Sequence, residues 1–427
     1  MIAVGGTLVQ HEDAGAPRAE RLLLHDAQPN PGMAERPIAA VARHDAVIDV
    51  QDLGQADLRV RRGAAKGGVG AGHRVILTGR DGVGMIPFAP VTNNATRCLA
   101  LTLLLAGCGG LPSYNTVLPP LPPSVLQADD AFAMVDGARL PVRTWLPAPA
   151  ANGDVAPRAV VLALHGFNDS RDAWELPGPV FAAAGVALFA PDQRGFGAAP
   201  GRGFWPGQTA LVSDAAAMLR ILRARYPGVP VYAMGESMGG AVLMALAASG
   251  EAPPVDGWVL LAPAVWGRAQ MGAALSSGLW LVSSVAPGLI VTGAEVPLRV
   301  MASDNRDALV RLARDPLTIR RTRFDALRGL TDLMDTAQAA APRLPDRTLA
   351  LYGEHDTLVP SEAAGRAWDA MPPGVRRGLY RSGYHLLMRD RAREAVIGDV
   401  IAWMDTPDAW LPSGADMAAA SWRSMRY

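Results

Sequence analysis

Lysine is almost absent from the chain: one residue of 427, Lys66. Arginine supplies the rest of the positive charge, and 40 basic residues against 40 acidic ones leave a formal net charge of zero. That balance offers no polyanion-binding surface, so nucleic acid is not an expected partner. An arginine bias this complete reflects GC-rich coding rather than chemistry. Cysteine is scarce as well. Cys98 and Cys108 stand close together in an apolar segment, at neither metal-ligand nor framework spacing, which argues against a zinc site or a disulfide scaffold. No metal and no organic cofactor is expected. The apolar run that follows Arg97 is too short for a membrane-spanning helix, which needs about 20 residues. What remains is a chain that is 50% hydrophobic and 19% charged. It is long enough for one α/β domain with an inserted cap to occupy most of it.

Residues 1–84 have no sustained helical or strand periodicity and carry four of the seven histidines. They read as upstream sequence joined to the gene by too early a start codon, with a disordered extension or a small extra domain as the alternative. Met85 opens a different segment, MIPFAPVTNNATRCLALTLLLAGCGG, in which Arg97 precedes an apolar run that ends at Leu105-Ala106-Gly107-Cys108. This resembles a bacterial lipoprotein signal. The resemblance implies a signal peptide over 85–107, cleavage before Cys108, and a diacylglycerol on the Cys108 sulfur. The chain is then expected in the bacterial cell envelope, lipid-anchored on a periplasm-facing inner or outer membrane. A buried helix is the competing reading, but it leaves unexplained the proline-rich LPSYNTVLPPLPPSVLQ, which reads as an extended tether within 108–130.

From residue 131 to about 404, apolar β-branched runs alternate with helical patterns, the signature of a mostly parallel central sheet with helices on both faces. Residues 133–146 are expected to form an opening hairpin with Gly137 in its turn. Residues 159–164, 186–190, 229–234, 258–262 and 347–352 read as buried strands. Loops rich in Gly, Pro or Asp follow them, where open α/β sheets gather functional residues. The strand pattern stops over about 264–341, and residues 405–427 form a tail without a functional signal.

Gly235-Glu236-Ser237-Met238-Gly239 lies between the strand VYAM and a small-residue helical run. The G-x-S-x-G pattern is weak alone and strong in that setting, because the glycines permit a tight turn that presents the serine oxygen above the sheet. The helix also aims its positive end at that oxygen. A serine needs a base to take its proton. Three histidines follow Met85: His165, His355 and His385. His355 sits directly before Asp356, on the acid's own loop. His385 is the best candidate, since its place after the serine and the aspartate matches the chain order of this type of triad. Asp356 follows the strand TLALY and is positioned to orient the imidazole. Asp346 and Asp335 are rival acids, but neither directly follows a strand.

LHGFNDS, PDQRGFG, GESMGG, GEHDTLVP and GYHLL, in this order, resemble the monoacylglycerol lipase and lysophospholipase group of α/β-hydrolases. The resemblance covers about residues 131–404 and implies the α/β-hydrolase fold with an inserted helical cap at about 264–341. It implies further that His165 lies on the oxyanion loop, and that the backbone N–H groups of Phe167 and Met238 hold the oxyanion. One departure is visible: Phe196 stands where the family often has histidine, which puts substrate access near that loop in doubt. The implied activity is hydrolysis of single-chain lipid esters through an acyl-enzyme on Ser237. A general carboxylesterase, an aminopeptidase-like or perhydrolase activity on the same residues, and a non-catalytic lipid-anchored binding protein are the alternatives. The expected partners are a small lipid ester and, through the anchor, a membrane.

Overall fold

Runs of Val, Leu and Ala without a polar break form the middle of the sheet. In the computed structural model, which describes residues 76–79, 82–85, 125–127, 130–149, 156–292 and 300–425, the chain divides into two units, Met1–Asn115 and Thr116–Tyr427. Within the first unit, β1 (Ile76–Gly79) and β2 (Gly82–Met85) pair as an antiparallel ribbon. Cys108 and nearly all of the expected signal segment lie outside the described residues, so nothing structural bears on the lipid anchor. Among the described residues no helix is long and apolar enough to cross a membrane.

The second unit starts with β3 (Val125–Gln127), β4 (Ala131–Ala133), β5 (Arg139–Trp145), β6 (Ala159–Leu164) and α1 (Pro177–Ala183). It continues with β7 (Val186–Pro191), α2 (Gln208–Arg225), β8 (Val231–Glu236), α3 (Met238–Ala247) and β9 (Gly257–Leu261). After α4 (Arg268–Met271), α5 (Ala273–Val285), β10 (Ile290–Thr292), α6 (Arg306–Arg314), β11 (Arg321–Arg323) and α7 (Phe324–Ala340), the chain returns to the sheet as β12 (Thr348–Gly353). It ends with α8 (Ser361–Ala370), β13 (Arg376–Tyr380), α9 (Arg393–Asp405) and α10 (Ala415–Ser424).

The large sheet has the order β13-β12-β9-β8-β6-β7-β5-β4-β3. It is parallel from β13 to β7 and antiparallel from β7 to β3. Strands β6, β7, β8, β9 and β12 are buried along their whole length, as strands covered on both faces must be. Side chains alternate between two cores. Val160, Leu162 and Leu164 of β6 pack with α2, α3, α7 and α8, whereas Ala159, Val161 and Ala163 pack with α1 and α9. The strand after β6 is laid on one side of it and β8 on the other. Such a reversal opens a crevice at the carboxyl ends of neighbouring strands.

Three boundaries differ from the sequence reading. The strand β3 lies inside the expected tether and pairs with β4. Helix α7 lies inside the expected cap but belongs to the body: Leu333 and Ala337 enter the core, and α7 packs on α3. Gly329 of α7 makes room for Trp205, in the loop before α2, since a Cβ there would lie 2.2 Å from Trp205 Nε1. The cap proper therefore comprises α4, α5, α6 and the antiparallel ribbon β10–β11. The expected tail is also part of the body. Helix α10 covers β13, Ala419 is buried, and Trp422 packs against Trp368 and Tyr352 with ring centroids 5.4 and 6.1 Å apart.

Candidate active site

The turn between β8 and α3 holds Ser237 at φ 52°, ψ −113°, a conformation that costs an L-residue about 1–3 kcal/mol. Backbone bonds impose it. Ser237 N donates to Leu261 O at 2.9 Å, and Ser237 O accepts from Ala241 N at 3.0 Å and Ala264 N at 2.9 Å. The flanking glycines are required by close backbone approach. A Cβ on Gly235 would lie 2.5 Å from the Gly239 carbonyl carbon, and one on Gly239 would lie 2.3 Å from Leu164 O.

Asp356 leaves the end of β12, where its Oδ1 accepts from Leu358 N at 2.8 Å and Val359 N at 2.9 Å. Its Oδ2 faces His385 Nδ1 at 2.8 Å. An ionised carboxylate only accepts, so Nδ1 carries the proton and Nε2 keeps its lone pair. Both side chains are buried. Burial by itself pushes the His385 pKa down. The charge and hydrogen bond of Asp356, together with the charge of Glu236, outweigh it and hold His385 above its usual value.

The other two histidines are placed differently. His165 is fully buried, with Nε2 accepting from Gln193 N at 3.0 Å and Nδ1 donating to Gly166 O at 2.8 Å. Both of its nitrogens are occupied, so it is an architectural residue of the loop after β6. His355 is exposed on the acid loop, its ring 5.3 Å from that of Tyr384.

The loop after β6 meets the serine turn. A Cβ on Gly166 would lie 3.4 Å from Ser237 Cβ and 3.9 Å from its Oγ. Among the described residues, the N–H groups of Phe167 and Met238 have no acceptor within the protein. For Met238 this follows from its position as the first residue of α3. The loop is fixed to the cap as well: Ile319 N donates to Asn168 O at 2.8 Å, and Asn168 Nδ2 donates to Thr322 Oγ1 at 2.7 Å. Phe196, expected to alter substrate access, is 2% exposed and packs edge-on against His165 and Phe167 at 5.9 and 5.6 Å. Its ring contacts hold the loop in place. The structure thus joins His385 to Asp356 and brings the Phe167 loop against Ser237. No hydrogen bond between Ser237 Oγ and His385 is closed among the described residues.

Reading the sequence missed a buried charge cluster around these elements. Arg389 Nη2 donates to Asp169 Oδ2 at 2.6 Å and to the two oxygens of Glu236 at 3.3 and 3.2 Å. Beside it, Asp390 accepts from Ser303 Oγ at 2.6 Å and Tyr384 N at 2.7 Å, and burial pushes its carboxyl up to about 6. In the sequence Asp169 and Glu236 lie inside the LHGFNDS and GESMGG motifs and Arg389 and Asp390 lie just beyond GYHLL, but no local pattern pairs them.

Comparison with known proteins agrees with the fold and the motif order. A monoacylglycerol lipase of Mycolicibacterium smegmatis is 27% identical over 290 residues, which cover 66% of this chain and 98% of that protein. The monoglyceride lipase of Mus musculus is 26% identical over 283 residues, 63% of this chain and 88% of that protein. Among solved structures, a soluble variant of the Saccharomyces cerevisiae monoglyceride lipase aligns with a TM-score of 0.53 at 20% identity, covering 69% of this chain and 98% of that one. Residues 155–392, more than half of the chain, match the family model Hydrolase_4, described as serine aminopeptidase, S33, and the chain belongs to that family of α/β-hydrolases.

Proposed function

We propose that the chain is a carboxylic ester hydrolase that works through an acyl-enzyme, with Ser237 as nucleophile, His385 as general base and Asp356 as the acid that orients it. The observation that carries this reading is the strained Ser237 at the N-terminus of α3, in a fold where, among the described residues, the one buried histidine with a free ring nitrogen is paired with Asp356. His385 Nε2 takes the Ser237 proton as Oγ bonds to the ester carbonyl carbon. The carbonyl oxygen gains the negative charge and is received by the Phe167 and Met238 N–H groups. Collapse breaks the bond to the alcohol oxygen, which leaves with the proton from His385. Water then repeats the sequence on the acyl-enzyme and releases the acid.

The substrate class is an ester with one acyl chain, such as a monoacylglycerol or a lysophospholipid. Support comes from the names of the relatives and from a cap carrying Leu275, Trp280, Leu281, Val285 and Leu289. Each buried methylene contributes about 0.8 kcal/mol, so kcat/KM for 4-nitrophenyl esters rises stepwise with chain length and then levels. Monoacylglycerol is cleaved faster than triacylglycerol. A flat profile, or faster triacylglycerol cleavage, leaves only a general carboxylesterase. Turnover of aminoacyl arylamides above that of esters turns the assignment to the aminopeptidase reading. Ser237→Ala abolishes ester turnover, by roughly 10⁴-fold or more in kcat, together with fluorophosphonate labelling.

We propose also that Cys108 is lipidated and anchors the enzyme to the envelope, on the resemblance of residues 85–108 to a lipoprotein signal. Cys108→Ser then shifts the enzyme from the membrane to the soluble fraction. Unchanged membrane association removes the anchor from the reading.

A further inference from the structure

Three ionisable side chains that the steps above leave unused meet in the interior. Arg389, Asp169 and Glu236 have side chains that are 5%, 8% and 1% exposed. Each comes from a different strand end. Asp169 stands two residues beyond Phe167, Glu236 immediately precedes Ser237, and Arg389 lies four residues beyond His385. One guanidinium therefore braces the loop carrying Phe167, the serine turn and the histidine loop. The cap holds Arg389 in its turn, through Asn305 Nδ2 donating to Arg389 O at 2.9 Å.

Charges buried in this way lose their hydration, and an apolar replacement is often as stable. The contribution of the cluster therefore lies in geometry and charge. Two carboxylates against one guanidinium leave a net negative charge next to the histidine loop. We infer that Glu236, held in place by Arg389, is a positioning residue for the general base: its carboxylate is a second negative charge, in addition to that of Asp356, supporting the imidazolium that His385 becomes on taking the Ser237 proton. The inference rests on the roles proposed for Ser237 and His385. The proton moves from Ser237 Oγ to His385 Nε2 and back out to the leaving alcohol, and Glu236 neither gains nor loses one.

The groups facing His385 set the sign. Burial opposes the charged ring most strongly. Asp356, on the loop after β12, and Glu236, at the end of β8, favour it, and Arg389, on the histidine's own loop, opposes it. Asp169, on the loop after β6, acts through Arg389. Asp390 on the histidine loop is buried, with the half-buried Asp304 of the cap acting on it, and the rings of His355 and Tyr384 lie 5.3 Å apart. Burial, with the neighbouring charge of Asp169, holds the Glu236 carboxyl above its ordinary value, and Arg389 opposes that push without cancelling it. The guanidinium is thus what favours the ionised form of Glu236.

The test is the pH dependence of kcat and kcat/KM for a soluble 4-nitrophenyl ester, on the full chain and its variants. Activity that needs neutral His385 rises with pH through the pKa of that ring. Glu236→Gln keeps the shape and an acceptor for Arg389 but removes the charge. Its acid limb moves to lower pH by roughly half a unit or more, and kcat on the plateau falls by the matching factor, about threefold or more, while KM changes less than about twofold. Glu236→Asp keeps the charge and holds the acid limb at the wild-type position. An unmoved limb in Glu236→Gln, or a rise in KM with kcat unchanged, overturns the inference. If Glu236→Gln fails to fold, Glu236→Asp decides: a limb that shifts downward with the charge retained overturns it, and a limb that stays in place supports it. Near-normal turnover in Ser237→Ala would instead remove the roles on which the inference rests. An inactive Ser237→Ala beside an unmoved Glu236→Gln profile removes the inference alone.

Discussion

Adding one methyl group at Gly239 tests whether the serine turn is held by contact with β6. An added Cβ would sit 2.3 Å from Leu164 O and 2.7 Å from its carbonyl carbon. Non-bonded heavy atoms settle about 3.5 Å apart or more, so turn and strand must separate by roughly 1 Å. Leu164 has no room to retreat, because it is fully buried and paired in register with Gly235 on β8. The displacement therefore falls on the first turn of α3, which carries the Met238 N–H. A 1 Å misplacement of that kind costs about 10²-fold in rate, and the overpacking costs about 1–3 kcal/mol of stability. The expected Gly239→Ala protein has kcat reduced about 100-fold, KM nearly unchanged and Tm lowered by roughly 3–10 °C. Gly398 is the control, since it lies exposed in the interior of α9 with open space where its Cβ would be. There the same substitution stabilises by about 0.5–1 kcal/mol. Steady-state hydrolysis of a 4-nitrophenyl ester and thermal unfolding by circular dichroism measure both. A Gly239→Ala enzyme within threefold of wild-type kcat, or two alanine variants that move Tm in the same direction, would refute the reasoning.

Asp390, raised to about 6 by burial, holds its proton more tightly folded than unfolded, where a carboxyl titrates near 3.9. Its contribution to stability is thus full below about pH 4 and lost as pH rises through 6. Asp390→Asn should gain on wild type between pH 4 and 7 in denaturant unfolding, and a difference constant with pH would contradict this. Trp422→Ala should cost roughly 2–4 kcal/mol, because it removes the ring between Trp368 and Tyr352. A loss below about 0.5 kcal/mol would mean that α10 is only loosely attached.

The five central strands were legible because each is a short, uninterrupted apolar run with a turn signal after it. β13 was not, since Arg376 and Arg377 open it and Gly378 follows; as the edge of the sheet it tolerates half-exposed charge at its start. Helix α7 reads as cap in the sequence because its buried face is built partly from Ala326, Gly329 and Ala337, which give little hydrophobic contrast. Ser237, Asp356 and His385 could be nominated from local context, since each follows a strand or closes the expected order. The pairing of Arg389 with Asp169 joins residues 220 apart and leaves no local pattern. Phe196 was legible as a departure but not as a support, because only the fold shows which rings it touches.

The two hydrogen bonds between Asn168 and the cap residues Ile319 and Thr322 have a kinetic consequence. An ester that gains access by lifting this part of the cap must break both bonds or drag along the loop that carries Phe167. In either case the Phe167 N–H, proposed to receive the oxyanion, would be displaced during such an entry. Entry by that route would separate a state that admits substrate from a state that cleaves it. At about 1 kcal/mol net for each bond, the admitting state amounts to a few per cent of molecules at any moment. Were such opening slower than bond cleavage, its frequency would set the pace of turnover for a bulky ester.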